Sequence, residues 1–439
     1  MLKKVVKIVL RVIVLLGVLA TVIFVSKYES PKFKQGKIDE KLFETLQSKE
    51  AQITEFFTYG TSFNVSGKLP NVNKDNFEGA KLFITDGKDY ESTYKLNSEI
   101  IDENLFFSSN EINSGLILDE LENKECYYLF LRLSLNNSVE PRYYTFVNSS
   151  EYKDIEYYTI TKDNQNRKID IKFLERTYKS ETYNCLTISI EETELPENVY
   201  DIVIDAGHGG KDSGERKGSD TEADITLEYA ELLKYSLEEK GLKVKLTRDS
   251  INTENYTYTN MYDMNGRITV AGETKAKYMM SFHINNGDNS LKGLEIYAPC
   301  KSDLKLAESI ANKIKERSSI EFSNNKSFKK SDGVYVKNFT PNVIKEYENT
   351  ANKKGYEPYP LTIDTPFSYT IREVGGIATN AYVDGRNKDY SSNRHRNSNQ
   401  GIECYQIELG YIKTDLEIIK NEKEQYIQAI TDAIFENRN

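Results

Sequence analysis

The sequence has no Trp, and its 439 residues include only 9 Pro, 4 Cys and 3 His. No Cys-x-x-Cys spacing occurs, which excludes a cysteine zinc cluster and a disulfide-dense mini-protein. Basic residues are in the minority, since 58 Lys and Arg stand against 68 Asp and Glu, for a net charge of −10. A nucleic-acid binder needs a basic face that displaces phosphate counterions, so we expect no nucleic-acid partner.

The chain contains enough apolar residues to form the cores of folded domains. Hydrophobic residues make up 38% and charged residues 29% of the chain. This balance is typical of globular proteins and not of disordered tails. The length accommodates two large domains or three smaller ones.

A long apolar run stands near the start of the sequence. Residues 8–25 contain one charge, Arg11, and three lysines precede them without an acid. A helix of this length spans roughly 27 Å, close to the hydrocarbon core of a bilayer. The basic flank keeps the start in the cytoplasm. We therefore predict a membrane anchor over residues 1–26 in a single-pass protein whose remainder is extracellular, with a cleaved signal peptide as the alternative.

Export to an oxidising compartment would permit disulfide bonds. The two pairs that the sequence allows are Cys126 with Cys185, and Cys300 with Cys404. Free buried thiols are the alternative.

The next part of the chain reads as a linker followed by strands. Residues 27–50 are polar and are predicted to be a linker. Residues 51–196 contain many short apolar runs separated by turn sequences such as Asp86-Gly87 and Asn136-Asn137. Such spacing predicts an all-β, sandwich-like domain. It contains no His, so we expect a spacer or interaction module, and whether its partner is a protein or a polymer stays open.

The pattern changes to alternating strands and helices after Pro196. Helices are predicted at residues 224–240, at 302–317 with Ser302 as the N-cap, and at 415–437. Short apolar strands precede and separate them, the first at 200–205 and a late one at 404–410. We therefore predict an α/β domain over residues 197–439, with an open, mostly parallel sheet and helices on both faces.

Two of the three histidines lie at the ends of predicted strands. His208 follows the first strand and His283 ends another. Ligands of open α/β sheets gather at the carboxyl ends of strands, so both imidazoles can reach one crevice. Glu222 precedes a helix at the same edge and is the candidate third metal ligand, while Glu408 ends a further strand as a candidate base. The alternative is that each His merely belongs to a turn or a core.

These residues resemble the zinc-dependent N-acetylmuramoyl-L-alanine amidases of the bacterial cell wall, the amidase 3 type. The resemblance covers about residues 200–436. It implies that His208, Glu222 and His283 bind Zn²⁺, that Glu408 is the catalytic base, and that the substrate is peptidoglycan. The segments that carry it are 204–214 (IDAGHGGKDSG), Glu222, 246–249 (LTRD), Arg267, 281–285 (SFHIN), 293–295 (GLE) and 408–411 (ELGY).

Several features depart from the family pattern. Gly272 stands where the family usually has Asn, and Asn286 stands where Ala is common. The stretch from about 318 to 400 is longer than in compact members. None of these departures is at a proposed ligand, so they bear on the shape of the cleft.

Candidate substrate contacts follow from the peptidoglycan substrate that the resemblance implies. Stem peptides carry carboxylates, which arginines bind in a bidentate manner, so Arg267 and Arg372 are candidates. Asn285 is a further candidate beside His283. We expect acids behind the histidines to bind and orient their imidazole rings, and Asp205 is a candidate for this role, with a turn residue as its alternative.

Three functions compete at this point. The first is hydrolysis of the amide between N-acetylmuramic acid and L-alanine. The second is a zinc carboxypeptidase acting on wall peptides, but the His-x-x-Glu pattern that such enzymes use would need Glu where Lys211 stands. The third is an inactive wall-binding or scaffold protein, which the presence of all four key side chains disfavours.

Overall fold

The computed structural model describes residues 40–109, 115–136, 138, 140–149, 154–160, 165–249, 266–355, 361–375 and 401–437. The predicted membrane segment at residues 8–25 lies outside these ranges. Within them, no helix has the length and apolar character needed to cross a bilayer.

A short helix and two β-sheets form the first part of the described chain. The elements are α1 (Glu40–Thr45), β1 (Ala51–Tyr59), β2 (Ser62–Leu69), β3 (Phe77–Thr85), β4 (Glu91–Lys95), β5 (Asn97–Ile101), β6 (Asn104–Ser108), β7 (Leu116–Ile117), β8 (Lys124–Leu135), β9 (Arg142–Tyr144), β10 (Phe146–Asn148), β11 (Ile155–Ile160), β12 (Asn166–Tyr178) and β13 (Glu181–Glu192). The first sheet has the order β10-β1-β2-β6-β5, with β7 beside β2, and the second has the order β11-β12-β13-β8-β3-β4, with β9 beside β8.

The two sheets share one apolar core and form a sandwich. Phe56 and Val65 of the first sheet lie in the same buried cluster as Leu82, Leu129 and Ile188 of the second. Alternate residues of each strand point to opposite sides of a sheet, so each sheet contributes one face to this core.

A third sheet with surrounding helices forms the rest of the described chain. The elements are β14 (Ile202–Ala206), β15 (Arg216–Lys217), β16 (Asp220–Thr221), α2 (Glu222–Glu239), β17 (Val244–Leu246), α3 (Arg267–Glu273), β18 (Tyr278–Asn285), β19 (Glu295–Tyr297), α4 (Lys305–Arg317), β20 (Lys329–Ser331), β21 (Val334–Tyr335), α5 (Pro341–Lys354), α6 (Tyr369–Val374), β22 (Glu403–Tyr411), α7 (Leu416–Asn421) and α8 (Lys423–Glu436). The order of the sheet is β17-β14-β18-β22-β19-β21-β20; β17, β14, β18 and β22 are parallel, and β19 runs antiparallel to β22.

Helices cover both faces of this sheet, but not equally. Helices α2, α4 and α8 pack on one face in a large apolar cluster that includes Ile204 and Ile407. The other face has a smaller cluster, in which Val203 and Cys404 contact residues of α3 and α6. Polar side chains can therefore lie on the second face without interrupting the main core.

Two helix boundaries differ from the sequence prediction. Helix α4 begins at Lys305, and the Ser302 hydroxyl donates to the carbonyl oxygen of Pro299 instead of capping the helix. The predicted C-terminal helix is divided into α7 and α8 at Glu422, whose backbone (φ −115°, ψ 24°) is not helical.

All four cysteines are free thiols in the structure. Cys185 and Cys404 are buried, and Cys126 and Cys300 are half-buried. Neither the pair Cys126 and Cys185 nor the pair Cys300 and Cys404 forms a disulfide bond.

The sandwich contacts the third sheet at the amino ends of its central strands. The Lys277 ammonium, which precedes β18, donates to the Asp119 carboxylate and, at 2.8 Å, to the Thr159 hydroxyl. Near the start of β22, the Gly60 amide donates to the Gly401 carbonyl oxygen at 2.7 Å. The two units therefore meet through a buried ion pair and a backbone hydrogen bond.

We predict that breaking this ion pair destabilises the protein. The side chains of Lys277 and Asp119 are only 11% and 5% exposed, so Lys277→Met leaves a buried carboxylate without its partner. We expect a loss of about 3 to 5 kcal/mol in the free energy of unfolding, measured by urea denaturation. Adding Asp119→Asn should restore most of the loss.

The matched control for this cycle is an exposed pair. Lys179 and Glu44 are 65% and 54% exposed, so Lys179→Met should leave the free energy of unfolding close to that of the wild type. Equal effects of the buried and exposed lysine variants would contradict the prediction.

Candidate metal centre

His208 lies in a sharp turn directly after β14. Its φ of +61° is in the left-handed region, which residues other than glycine seldom occupy. Arg267 stabilises this turn, because its Nη2 donates to the His208 carbonyl oxygen at 2.9 Å. The turn thus directs the imidazole toward the carboxyl edge of the sheet.

Asp205 and Arg267 form a buried ion pair beneath this turn. Arg267 Nη1 contacts both Asp205 carboxylate oxygens, at 3.0 and 3.1 Å. The Thr247 and Ser281 hydroxyls donate to the same carboxylate, each at 2.6 Å. Burial alone would raise the pKa of Asp205, but Arg267 and the two hydroxyls hold it below its usual value.

These contacts bear on two sequence interpretations. Arg267 was a predicted substrate contact, but it is 5% exposed and its guanidinium is directed to Asp205 and His208. Asp205 was a candidate acid for orienting the histidines, and its carboxylate binds Arg267, which in turn donates to the His208 carbonyl oxygen. The arginine is therefore part of the support of the site.

Glu222 is the first residue of α2 and lies between the two histidines. Its Oε1 is 3.0 Å from His208 Nε2 and 3.1 Å from His283 Nδ1. The backbone amides of Ile284 and Glu215 donate to its two carboxylate oxygens at 2.8 and 2.9 Å. The carboxylate is thus fixed by the main chain on both sides.

The three side chains converge as a possible metal site. One potential ligand atom from each of His208, Glu222 and His283 lies within 4.8 Å of the others. Four ligands at the usual zinc distances stand on the order of 3.3 Å apart, so the observed contacts of 3.0 and 3.1 Å suit a tetrahedral ion. Two imidazoles and one carboxylate are also the donor types of catalytic zinc sites.

The electrostatics of this group favour a positive charge at its centre. Burial alone would raise the pKa of Glu222, but hydrogen bonds with His208 and His283 bring it well below its usual value. Burial alone would lower the pKa of His208, but contacts with Glu222 and Asp212 raise it to about 9. The cluster therefore suits a cation.

Asp212 is a functional residue that the sequence interpretation missed. Its Oδ2 lies 2.9 Å from His208 Nδ1, and its Oδ1 accepts from the Gly214 amide at 3.0 Å. An acid that binds the second imidazole nitrogen fixes the ring and its tautomer. The sequence feature that could have indicated this role is the four-residue interval between His208 and Asp212 within the glycine-rich turn.

Glu408 lies beside the histidines on the neighbouring strand. It pairs with His283 in the register of β18 and β22, and both line a cleft of about 390 Å³. Burial raises the pKa of Glu408 to about 7, although the nearby His283 opposes this shift. A carboxyl group with a pKa near neutrality can both accept and return a proton at neutral pH.

Of the other two predicted substrate contacts, Asn285 lies at the cleft and Arg372 does not. Asn285 lines the cleft, and its Nδ2 donates to Glu295 Oε2 at 3.0 Å. Arg372 does not line it: the side chain is 10% exposed, contacts Glu373 at 3.2 Å and donates to the carbonyl oxygens of Pro366 and Phe367. Arg372 thus stabilises the fold around α6, contrary to the prediction.

The family comparison bears on this same segment. Residues 202–355 match the sequence model of the Amidase_3 family, described as N-acetylmuramoyl-L-alanine amidase. The chain carries an Amidase_3 domain. The matched residues include His208, Glu222 and His283, whereas Glu408 follows them.

Two curated relatives share part of the sequence. A germination-specific N-acetylmuramoyl-L-alanine amidase of Bacillus subtilis (strain 168) is 33% identical over 97 residues, which are 21% of this chain and 41% of the relative. An endolysin of Bacillus phage SPP1 is 36% identical over 102 residues, which are 23% of this chain and 34% of the relative. The chain thus spans less than half the length of either relative.

Among solved structures, the N-acetylmuramoyl-L-alanine amidase AmiC2 of Nostoc punctiforme is similar to this chain. The identity is 21%, the match covers 54% of this chain and 94% of that one, and the TM-score is 0.32.

We predict that Asp212→Ala weakens metal binding at this site. Loss of the acceptor at His208 Nδ1 frees the ring, and such outer contacts are worth about 10- to 100-fold in metal affinity. Chelator competition with Co²⁺ as the probe ion measures the change. Asp212→Asn keeps one of the two accepting oxygens, which can still bind His208 Nδ1, so this variant should bind metal more tightly than the alanine variant; the reverse order would contradict the prediction.

We also predict that Gly207→Ala weakens metal binding. A Cβ at Gly207 would lie 2.7 Å from His283 Nε2 and 2.5 Å from the Phe282 carbonyl oxygen, so the imidazole must move. The metal content of the purified variant should fall below that of the wild type. Gly79→Ala is the control, because a Cβ at Gly79 meets no atom within 4 Å. Equal metal content in both variants would count against the prediction.

Proposed function

We propose that this protein is a zinc-dependent cell-wall amidase that hydrolyses the amide bond between N-acetylmuramic acid and L-alanine in peptidoglycan. The observation that carries the proposal is the convergence of His208, Glu222 and His283 inside the Amidase_3 segment, beside the buried Glu408. The partial match to a curated N-acetylmuramoyl-L-alanine amidase supports the same substrate bond.

The ligand set supports zinc as the ion. His208 Nε2, His283 Nδ1 and a Glu222 oxygen would hold it, with Asp212 fixing the His208 ring. When bound, zinc supplies Lewis acidity and lowers the pKa of a coordinated water to about 7. The main-chain donors at Glu222 hold its carboxylate in the orientation that this role needs.

Glu408 is the proposed general base. Gln406 Nε2 donates to its Oε1 at 2.7 Å, which leaves Oε2 to accept the proton of the attacking water. The water oxygen bonds to the lactyl carbonyl carbon, and the carbon–nitrogen bond then breaks. Glu408 returns its proton to the departing nitrogen, so the products are a muramic acid carboxylate and a peptide with a free L-alanine amino group.

The cleft supports a substrate that approaches from solvent. His208 and His283 keep 25% and 17% of their side-chain surface exposed, whereas Glu222 is almost fully buried. Asn285 and Asn286 line the same cleft and offer amide groups to a peptide backbone. We propose these two asparagines, rather than the two arginines, as the polar contacts of the stem peptide.

We also propose that the enzyme acts outside the cell. The apolar run at residues 8–25 with its basic flank supports a single-pass anchor in the cell membrane. Peptidoglycan lies on the outer side of that membrane, where the described part of the chain would meet it.

We expect Glu408→Gln to abolish most hydrolysis while metal binding remains. Loss of a general base lowers turnover by about 10²- to 10⁴-fold, and Gln406 can still contact the new amide. Turnover is measured as new L-alanine amino termini released from purified peptidoglycan, alongside metal content. Glu316→Gln, on the exposed side of α4, is the control and should match the wild type.

The products separate this proposal from its rivals. New L-alanine amino termini on intact glycan strands support the amidase. Loss of a terminal residue from the stem peptide would instead indicate a carboxypeptidase. No product from metal-loaded wild type would indicate an inactive wall-binding protein.

A further inference from the structure

A short chain of hydrogen bonds leads from α6 to Glu408. The Ser368 hydroxyl donates to Gln406 Oε1 at 2.6 Å, and Gln406 Nε2 donates to Glu408 Oε1 at 2.7 Å. Gln406 and Glu408 are two residues apart on β22, so they share one face of the strand. Both bonds are short and partly shielded from solvent, since Ser368 and Gln406 are half-buried.

The order of donors in this chain is chemically constrained. An amide has one donating and one accepting end, whereas a carboxylate only accepts. If the Gln406 amide were reversed, its carbonyl oxygen would face the Glu408 carboxylate and the two acceptors would repel each other. The Ser368 hydroxyl binds the accepting end and thereby keeps the donating end toward Glu408.

We propose that Gln406 and Ser368 are positioning residues that hold the carboxylate of Glu408 in its working orientation. The inference rests on the proposed function, in which Glu408 is the base. The last torsion of a glutamate side chain is soft, so an unrestrained carboxylate samples a wide range of orientations. A hydrogen bond to Oε1 restricts that rotation and fixes the direction of Oε2.

The residue that faces Glu408 from the neighbouring strand β19 does not supply this restraint. Glu295 faces Glu408 in the register of β19 and β22, but it is also an acid. Its carboxylate accepts from Tyr411, Tyr297 and Ser323 at 2.6 to 2.7 Å, as well as from Asn285. These donors bind Glu295, so the hydrogen bond that restrains the Glu408 carboxylate comes from the amide of Gln406.

Neither positioning residue lies in the family-matched segment. The match ends at residue 355, whereas Ser368 precedes α6 and Gln406 lies on β22. The Ser368 side chain makes no capping hydrogen bond to α6. Its hydroxyl can therefore be removed without loss of a helix cap.

The test compares kcat and KM for hydrolysis of a purified muropeptide by the zinc-loaded full chain. Gln406→Met keeps the side-chain length but removes the donor, and we expect kcat to fall on the order of 10- to 100-fold. KM should stay within about twofold, since the residue touches the base and not the substrate. Zinc content and the thermal midpoint should match the wild type.

Removal of the Ser368 hydroxyl gives a second, gentler variant. Ser368→Ala releases the accepting end of the amide, so kcat should fall by less than in Gln406→Met, while Ser368→Thr retains a hydroxyl and should restore activity. Ser236→Ala is the matched control, because it removes a hydroxyl bonded to Thr431 at 2.9 Å and distant from the cleft.

A double variant distinguishes positioning from general damage. If Gln406 acts through Glu408, adding Gln406→Met to Glu408→Gln should lower the residual turnover no further. A further loss of similar size, a change confined to KM, or an unchanged kcat in Gln406→Met would overturn the inference while leaving the amidase proposal intact. A zinc-loaded wild type without activity would overturn both.

Discussion

The candidate site depends on the in-register parallel pairing of β14, β18 and β22. Alternate residues of these strands point to opposite faces, so one face carries Ile204, Phe282 and Ile407 into the large core. The other face carries acids, hydroxyls and imidazoles, and the register sets His283 beside Glu408. Packing of the apolar face fixes the register of the strands, and that register sets the distances between the polar side chains on the other face. A slip of one residue would exchange the two faces and abolish both.

Much of this arrangement was predictable from the sequence. Strand ends in an open sheet meet at one edge, so His208, His283 and Glu408 were expected together, and Glu222 followed from its place at the start of a helix. The two arginines were interpreted wrongly. An arginine suits a substrate carboxylate and a buried Asp equally well in chemical terms. Only the fold shows that Arg267 meets Asp205, 62 residues earlier.

The residues that the sequence did not reveal act through side-chain orientation. Asp212 is recognisable only when the turn folds back and brings its carboxylate to His208 Nδ1. Gln406 and Ser368 are 38 residues apart and share no motif. Serine is a residue type that often caps helices, but α4 begins only at Lys305 and Ser302 lies outside it. Local preference predicts that an element exists, whereas tertiary contacts decide where it begins.

The contacts between the sandwich and the third sheet have a geometric consequence. They lie at Lys277 and Gly401, before the first residues of β18 and β22, while His283 and Glu408 lie toward the last residues of the same strands. The cleft therefore opens on the side of the molecule away from the sandwich. Under the proposed function, a bulky, cross-linked polymer would reach the histidines from the side of the molecule opposite the β-rich unit.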